Sequence, residues 1–260
     1  VGIAEQHALT YSSGISASGN IPIVAIYSTF IQRAFDQIIH DIAIQNLPLI
    51  ICMDRAGLVG PDGPTHHGIF DISFLRMIPN IIVTSPKDGF ELHDLLFTAL
   101  KVKKIFSIRY GKIDTNYKED YIPKLLEIGS WDNLLEGDDI ALLSVGSMVN
   151  HALEVADKLK EKNNLNVGVI NCRFIKPLDE KMLSKIMKKY KYIFTIEEGC
   201  LQGGFGSSVL EYSSNCSYSN IINLIAIDNM FVDHGSRSEL LDMTNLSPDK
   251  IYNKILEIYE

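Results

Sequence analysis

The sequence has 260 residues, of which 46% are hydrophobic, and it carries a formal net charge of -8 at pH 7. This length allows two ordinary domains, each with its own hydrophobic core. The negative charge, without a lysine- and arginine-rich run joined to aromatic residues, argues against a nucleic-acid partner, and no apolar stretch reaches the roughly 20 residues of a membrane span.

The first half of the chain alternates apolar, β-branched runs with helical patterns. The predicted strands cover residues 21–26, 47–53, 80–84 and 105–109. The predicted helices cover residues 31–45 and 89–101, and a further helix starts near Glu5. Strands that alternate with helices are typical of a parallel, doubly wound sheet.

The second half repeats this alternation after a polar stretch. The predicted strands cover residues 140–145, 167–172, 192–196 and 221–227. The predicted helices cover residues 148–160, 180–188 and 205–212, and a last helix starts after the N-cap Ser247. We therefore predict an α/β protein with two doubly wound domains, residues 1–115 and 137–260, joined by a linker at 116–136.

Glu5 stands alone as a carboxylate among apolar residues, namely Ile3, Ala4, Ala8 and Leu9. We expect these neighbours to desolvate the carboxyl partly, so that it can share a proton and hydrogen-bond a heterocyclic nitrogen. The alternative is a first-turn glutamate that only complements the helix dipole.

The segment 26–33 closes a predicted strand and opens a helix, which is where open α/β sheets form their ligand crevice. Tyr27, Phe30 and Arg33 lie in this segment. Phe30 could stack on an aromatic ring, and Arg33 could bind a phosphate or carboxylate with two hydrogen bonds. In the alternative interpretation, Phe30 packs in the core and Arg33 is a solvated helix residue.

A loop at 54–68 contains four glycines, two prolines and several charged or titratable side chains. Arg55 and Asp62 lie among the glycines, which allow close backbone approach. His66 lies between Pro64 and Gly68, which favours it as the proton-transfer residue. We predict that the loop binds a small anion.

Three segments, GIAEQHA, AIYSTFIQRAFDQIIHD and MDRAGLVGPDGPTHHGIFD, closely resemble the 1-deoxy-D-xylulose-5-phosphate synthases of the transketolase superfamily. The resemblance continues through residues 85–88 (SPKD) and 197–199 (EEG) and covers nearly the whole chain. It implies a pyrimidine-binding domain followed by a transketolase C-terminal domain. It also implies thiamine-diphosphate-dependent decarboxylation of pyruvate and its condensation with D-glyceraldehyde 3-phosphate, for isoprenoid, thiamine and pyridoxal synthesis.

Site roles follow from the same resemblance, position by position. Glu5 matches the glutamate that pairs with the cofactor's aminopyrimidine ring, and Phe30 matches the aromatic residue stacked on that ring. His66 matches the histidine placed for proton transfer. The remaining matches lie around the acceptor substrate: Tyr27, which also borders the cofactor, Arg33, Arg55, Asp62 and Lys112. Lys112 stands where family members usually have an arginine, so it keeps the charge and loses the two-pronged hydrogen bonding.

Metal and diphosphate ligands are not expected within this sequence. In the family they come from a GDG motif and an asparagine of an N-terminal domain, and this sequence lacks both. The four cysteines also show no zinc-type spacing. We therefore expect Mg²⁺ to be held outside this chain.

The chain begins abruptly at Val1, directly before GIAEQHA, and its opening segment resembles the inside of a longer motif, so we expect a fragment or a processed chain that is inactive alone and belongs to a homodimer. A composition rich in isoleucine, lysine and asparagine suits a plastid-type organelle, such as an apicoplast or chloroplast, or a bacterial cytoplasm. Two alternatives stay open. One is a separate subunit, as in split transketolases or the β subunit of 2-oxoacid dehydrogenases, and the other is a noncatalytic module that binds a metabolite or mediates dimerisation.

Overall fold

The computed structural model describes residues 1–115 and 118–259. The first half contains α1 (Glu5–Ala17), β1 (Ile23–Tyr27), α2 (Ser28–Ile31), α3 (Phe35–Gln37), β2 (Leu49–Asp54), α4 (Asp71–Arg76), β3 (Ile81–Thr84), α5 (Gly89–Val102) and β4 (Ile105–Arg109). The second half contains β5 (Asp132–Leu135), β6 (Ile140–Ser144), α6 (Met148–Asn163), β7 (Val167–Asn171), β8 (Phe174–Lys176), α7 (Glu180–Lys189), β9 (Tyr192–Cys200), α8 (Phe205–Asn215), β10 (Ile221–Ile227), α9 (Arg237–Met243) and α10 (Pro248–Tyr259).

Each half is built around a five-stranded sheet that is mostly parallel. The strand orders are β1-β2-β4-β3-β8 and β10-β9-β6-β7-β5. All residues of β3, β4, β6 and β7 are buried, because helices cover both faces of parallel strands and apolar, β-branched residues suit that environment. The predicted α/β class with two doubly wound domains is confirmed.

Both sheets also have an antiparallel edge strand that the apolar runs did not predict. β5 pairs with β7 and lies inside the range predicted as a linker, 116–136. β8 belongs to the second half of the chain but pairs with β3 of the first sheet. These strands have four and three residues, too few for hydrophobic periodicity to distinguish them from loop. Residues 116 and 117 of the predicted linker lie outside the described residues.

The helix predicted at 31–45 is an irregular helical segment. α2 is followed by a 3₁₀ turn at Gln32–Ala34, then by α3 and a π-helical turn at Ile38–Ala43. Such departures from α-helical geometry occur frequently at functional sites. Phe30 lies in α2 and Arg33 lies in the 3₁₀ turn that follows it.

One hydrophobic cluster joins the two halves. It contains Ile51 and Phe106 of the first sheet together with Phe174 and Phe205 of the second half, all of them buried. A second cluster lies mostly in the second domain, around Phe194 and Ile196 of β9, and also includes Leu58 and Ile69 of the first half. The two halves therefore share part of their core.

Candidate active site

The carboxyl ends of β1 and β2 lie side by side, because the two strands pair in parallel with Tyr27 opposite Asp54. The residues after each strand therefore meet at one edge of the sheet, where open α/β sheets bind ligands. The Arg55 guanidinium lies 3.8 Å from the centre of the Tyr27 ring. Its Nη1 donates to Asp54 Oδ2 at 2.8 Å.

Glu5 begins α1 and faces a cleft of about 410 Å³ that Tyr27 and Phe30 also line. Only 7% of Glu5 is exposed, as its apolar sequence neighbours led us to expect. Its Oε1 accepts a hydrogen bond from Arg33 Nη1 at 2.9 Å. The cleft thus combines a nearly buried carboxylate with an aromatic wall.

Phe30 is the residue around which the candidate side chains meet. Its ring stacks on Tyr27 with 5.4 Å between ring centres and 20° between planes. The Arg33 guanidinium lies 4.4 Å from the Phe30 ring centre, and the His66 ring meets Phe30 edge-on at 5.2 Å. Through these contacts the first domain brings together six of the predicted residues: Glu5, Tyr27, Phe30, Arg33, Arg55 and His66.

The two remaining predicted residues form their own pair at the loop. Lys112 Nζ lies 3.8 Å from Asp62 Oδ2, and both side chains are more than a third exposed. Surface pairs of this kind contribute little to stability. A ligand can therefore displace either side chain from this weak pair at little cost in stability.

The loop that carries Arg55, Asp62 and His66 is closed at its base by Gly57 and Gly68, which exchange two backbone hydrogen bonds of 2.7 and 2.9 Å. A Cβ on Gly68 would lie 2.6 Å from the Arg55 carbonyl oxygen, so only glycine allows this approach. Arg55 itself has a positive φ of 57°. This strained backbone directs the Arg55 side chain toward Tyr27.

A buried ion pair connects the end of β4 to the start of α4 beneath the site. Arg109 Nε donates to Asp71 Oδ2 at 2.8 Å, and Ser28 Oγ donates to the same oxygen at 2.9 Å. Arg109 Nη2 also donates to the Gly68 and Glu198 carbonyl oxygens. Burial opposes the charge of Arg109, but the ion pair with Asp71 raises its pKa above the ordinary arginine value.

The second half of the chain contributes a second buried ion pair next to the loop. The Glu198 carboxylate, with a side chain 4% exposed, pairs with the Arg237 guanidinium. Glu198 Oε1 accepts the Leu58 N–H at 2.7 Å, and Arg237 Nη1 donates to the Leu58 carbonyl oxygen at 2.9 Å. Ser147 Oγ donates to Glu198 Oε2 at 3.1 Å. One loop residue is therefore bonded at both its N–H and its C=O.

Sequence reasoning assigned no role to these buried pairs. Glu198 did carry a signal, because two adjacent glutamates at the end of an apolar strand require partners if they are buried. Arg237 carried none, since it lies in a polar segment far from the motifs and its partner is set by the tertiary fold. Asp71 stands inside the GIFD motif, and Arg109 ends a predicted strand.

Two kinds of feature are absent from the part of the chain that the structure describes. No group of three or more histidine, cysteine, aspartate or glutamate side chains is placed to hold a metal ion. No helix combines the length and apolar character needed to cross a bilayer.

Family profiles match the chain in two blocks. The transketolase pyrimidine-binding domain matches residues 1–118, and the transketolase C-terminal domain matches residues 129–251. Among curated proteins, the chain is similar to 1-deoxy-D-xylulose-5-phosphate synthases of Aquifex aeolicus, with 46% identity, and Clostridium perfringens, with 44% identity. The two alignments cover 96% and 99% of this chain but 40% and 42% of those proteins. The chain thus spans about two fifths of the length of the curated relatives it matches.

Solved structures give the same pattern. A protein described as a split gene transketolase, in an inactive beta4 tetramer, superposes with a TM-score of 0.86 at 27% identity and covers 99% of this chain and 82% of its own. The transketolase of Campylobacter jejuni superposes with a TM-score of 0.78 over 97% of this chain and 38% of its own. Its 20% identity shows likeness of fold alone.

Proposed function

This chain belongs to the transketolase family, and from that premise we propose that it is the part of a 1-deoxy-D-xylulose-5-phosphate synthase that binds the cofactor's pyrimidine ring and the substrates. The reaction joins pyruvate to D-glyceraldehyde 3-phosphate with loss of carbon dioxide. The product would serve the synthesis of isoprenoids, thiamine and pyridoxal. The observation that carries the proposal is the cleft in which nearly buried Glu5 stands beside Phe30.

The cleft fits the pyrimidine ring of thiamine diphosphate. Bound there, the cofactor supplies a nucleophilic carbon and stabilises the charge left by decarboxylation. We propose that Glu5 hydrogen-bonds a ring nitrogen and holds the shared proton, and that Phe30 stacks on the ring; both residues line the cleft. Arg33 now contacts both of these groups, so we propose that it releases them and turns toward the acceptor substrate when the ring is bound.

His66 is proposed to transfer protons to and from the reacting substrate. Its ring is partly buried against Phe30, and its Nδ1 lies 2.9 Å from Thr65 Oγ1. That contact fixes the ring and leaves Nε2 for the substrate. Imidazole suits this role because its ordinary pKa lies near neutral pH.

The acceptor substrate carries a phosphate and hydroxyl groups, and the loop together with Lys112 after β4 offers partners for both. Arg55 and Lys112 supply positive charge for the phosphate, while Asp62 can accept hydrogen bonds from hydroxyls. Tyr27 lies under the Arg55 guanidinium and borders the cofactor cleft as well. We assign Tyr27, Arg33, Arg55, Asp62 and Lys112 to substrate binding on this basis.

We further propose that Mg²⁺ and the diphosphate are held by residues outside this sequence, and that the 260-residue chain is inactive by itself. The support is the greater length of the relatives, of which this chain spans about two fifths. A homodimer is the assembly we propose from the family resemblance. Composition supports a plastid-type organelle or a bacterial cytoplasm as the location.

The test is an assay of product formation from pyruvate and D-glyceraldehyde 3-phosphate, with the chain alone and with the chain joined to the diphosphate-binding portion of a relative. We expect activity only in the joined protein, and a loss of at least about 100-fold in the Glu5→Gln variant, since a glutamine cannot share the proton. His40→Gln is the matched control, because His40 is largely exposed and pairs with Asp41. Full activity in Glu5→Gln, or activity of the chain alone, would contradict the proposal.

A second candidate is a natural subunit that meets its partner as a separate polypeptide. The similarity to the split gene transketolase favours it, because the match covers 99% of this chain and 82% of that protein's chain. Purification from the native source distinguishes the two. If a stable partner chain co-purifies and the assembly uses a ketose phosphate rather than pyruvate as donor, the second candidate replaces the first proposal.

A further inference from the structure

The active-site loop rests on the second half of the chain as well as on its own domain. Glu198 and Arg237 bind both backbone groups of Leu58, as described above. Further along the loop, the Gly60 carbonyl oxygen accepts the Gly235 N–H at 3.5 Å. His67 Nε2 lies 3.1 Å from the Asp233 carbonyl oxygen. The segment 233–237 and the end of β9 thus form the floor under the loop.

Both backbone groups of Leu58 are hydrogen-bonded to charged side chains of the second half. Arg237 donates to Glu198 with both Nη1 and Nη2, so carboxylate and guanidinium form a two-pronged pair whose outer atoms fit the Leu58 N–H and C=O. Although burial opposes its charge, the bond to Glu198 raises the pKa of Arg237 above its ordinary value. The guanidinium of Arg237 therefore keeps its charge beside Glu198.

The backbone beside Leu58 is shaped to receive this pair. Gly57 has a φ of 79°, and a Cβ there would lie 2.5 Å from Glu198 Cδ. Arg237 is the first residue of α9, whose start is fixed by a capping box between Ser236 and Glu239. Both partners of the loop thus stand on rigid elements.

We infer that Glu198 and Arg237 are positioning residues that set Arg55 and Asp62 for the acceptor substrate from the second half of the chain. Leu58 lies three residues after Arg55 and four before Asp62, so fixing its backbone fixes the loop between them. The inference rests on the proposed function for the roles of Arg55 and Asp62. It gives the C-terminal half a part in substrate recognition although neither residue touches substrate.

The first arm of the test measures amide hydrogen exchange in the loop of the chain as it stands. We expect Arg237→Met to speed exchange of the Leu58 amide by about tenfold or more relative to the rest of the chain, because the loop loses a bond to its carbonyl and Glu198 loses its counter-ion. Arg237→Lys should restore part of the protection, since an ammonium keeps the charge but cannot form the two-pronged contact. Arg76→Met is the matched control, because Arg76 is similarly buried and also joins the two halves, through Gly203 and Glu211.

The second arm uses the active, joined enzyme. We expect Arg237→Met to raise the KM for D-glyceraldehyde 3-phosphate by about tenfold while the KM for pyruvate stays unchanged. The control Arg76→Met should leave the ratio of the two KM values unchanged. Exchange that rises uniformly over the chain, or equal changes in both KM values, would reduce the pair to a structural role and overturn the inference. If the unaltered joined enzyme shows no activity, the proposed function fails, and the exchange measurement alone decides on the positioning of the loop.

Discussion

Two neighbouring histidines of the loop have opposite environments. His67 is 3% exposed, and its Nδ1 accepts the Val59 N–H at 3.1 Å, so its ring proton lies on Nε2 and points at the Asp233 carbonyl oxygen. His66 is only partly buried and meets the Phe30 ring at its edge. One histidine is therefore committed to the backbone at both nitrogens, and the other has a nitrogen available for chemistry.

The same substitution at these two positions should separate stability from activity. We expect His67→Leu to lower the free energy of unfolding by about 1–3 kcal/mol, because the Val59 N–H and the Asp233 C=O lose their partner. His66→Leu should change stability by no more than about 0.5 kcal/mol and lower kcat of the joined enzyme about 100-fold. Urea denaturation and the product assay measure the two effects. Equal losses of stability in both variants would contradict this assignment.

At the residue scale, the candidate site could be predicted as far as local chemistry reaches. The apolar neighbours of Glu5 indicated its burial, and the glycines around Arg55 indicated a loop with close backbone approach. The contacts between Arg33 and Glu5, and between Arg237 and Leu58, depend on tertiary placement across 28 and 179 positions of sequence separation. No periodicity or motif reports such distances.

Among the elements, α4 and β4 are joined by the ion pair between Asp71 and Arg109, whose side chains are 0% and 4% exposed. Asp71 is the first residue of α4, where the helix dipole favours a negative charge, and Arg109 is the last residue of β4. Ser28 at the start of α2 completes the arrangement. The pair therefore holds three elements at the edge of the sheet where the site lies.

Removing one member of this pair should destabilise the protein strongly. We expect Arg109→Met to lower the free energy of unfolding by about 3–5 kcal/mol, because it leaves the Asp71 carboxylate buried without a counter-ion. Lys189→Met is the control, since its partners Glu136 and Asp138 are largely exposed and surface pairs contribute little to stability. Urea denaturation monitored by circular dichroism measures both. A loss below about 1 kcal/mol in Arg109→Met would show that the pair contributes no more than a surface pair.

The elements themselves were predictable where they were long and regular. β4 and β10 have the predicted bounds, and the other parallel strands were found within a few residues. β5 and β8 were missed because short edge strands carry no clear alternation, and α4 and α9 because six or seven residues are too few to show a helical period. The 3₁₀ and π turns between Gln32 and Ala43 follow from packing and leave no trace in the hydrophobic pattern.

For the whole molecule, the buried Glu197 links stability to pH. Its carboxylate accepts the N–H groups of Phe205 and Gly206 at the start of α8, both at 2.8 Å. Burial raises its pKa from 4.5 to about 7, although these two hydrogen bonds act in the opposite direction. The folded protein therefore binds a proton that the unfolded chain releases between these values.

The stability that comes from this protonated carboxyl is fully present below about pH 4.5 and is lost as the pH rises through about 7. We expect the free energy of unfolding of Glu197→Gln, measured relative to the unaltered protein, to improve by up to about 3 kcal/mol between about pH 5 and about pH 8. The comparison cancels the titration of other groups. Glu161→Gln, on the exposed face of α6, should show no such trend. A flat difference for Glu197→Gln would mean that the two N–H groups outweigh burial.

β8 makes the first sheet depend on the second half of the chain. The chain leaves the second sheet, adds three residues to the edge of the first and then returns, so the order of the sequence is not the order of the parts. A chain break between the two matched family blocks, with loss of the second block, would remove the edge strand of the first sheet and expose β3 to pairing with other chains. The two blocks therefore work as one structural unit. Replacing the second block with that of a relative would also replace the edge strand of the first sheet and the residues that hold the catalytic loop.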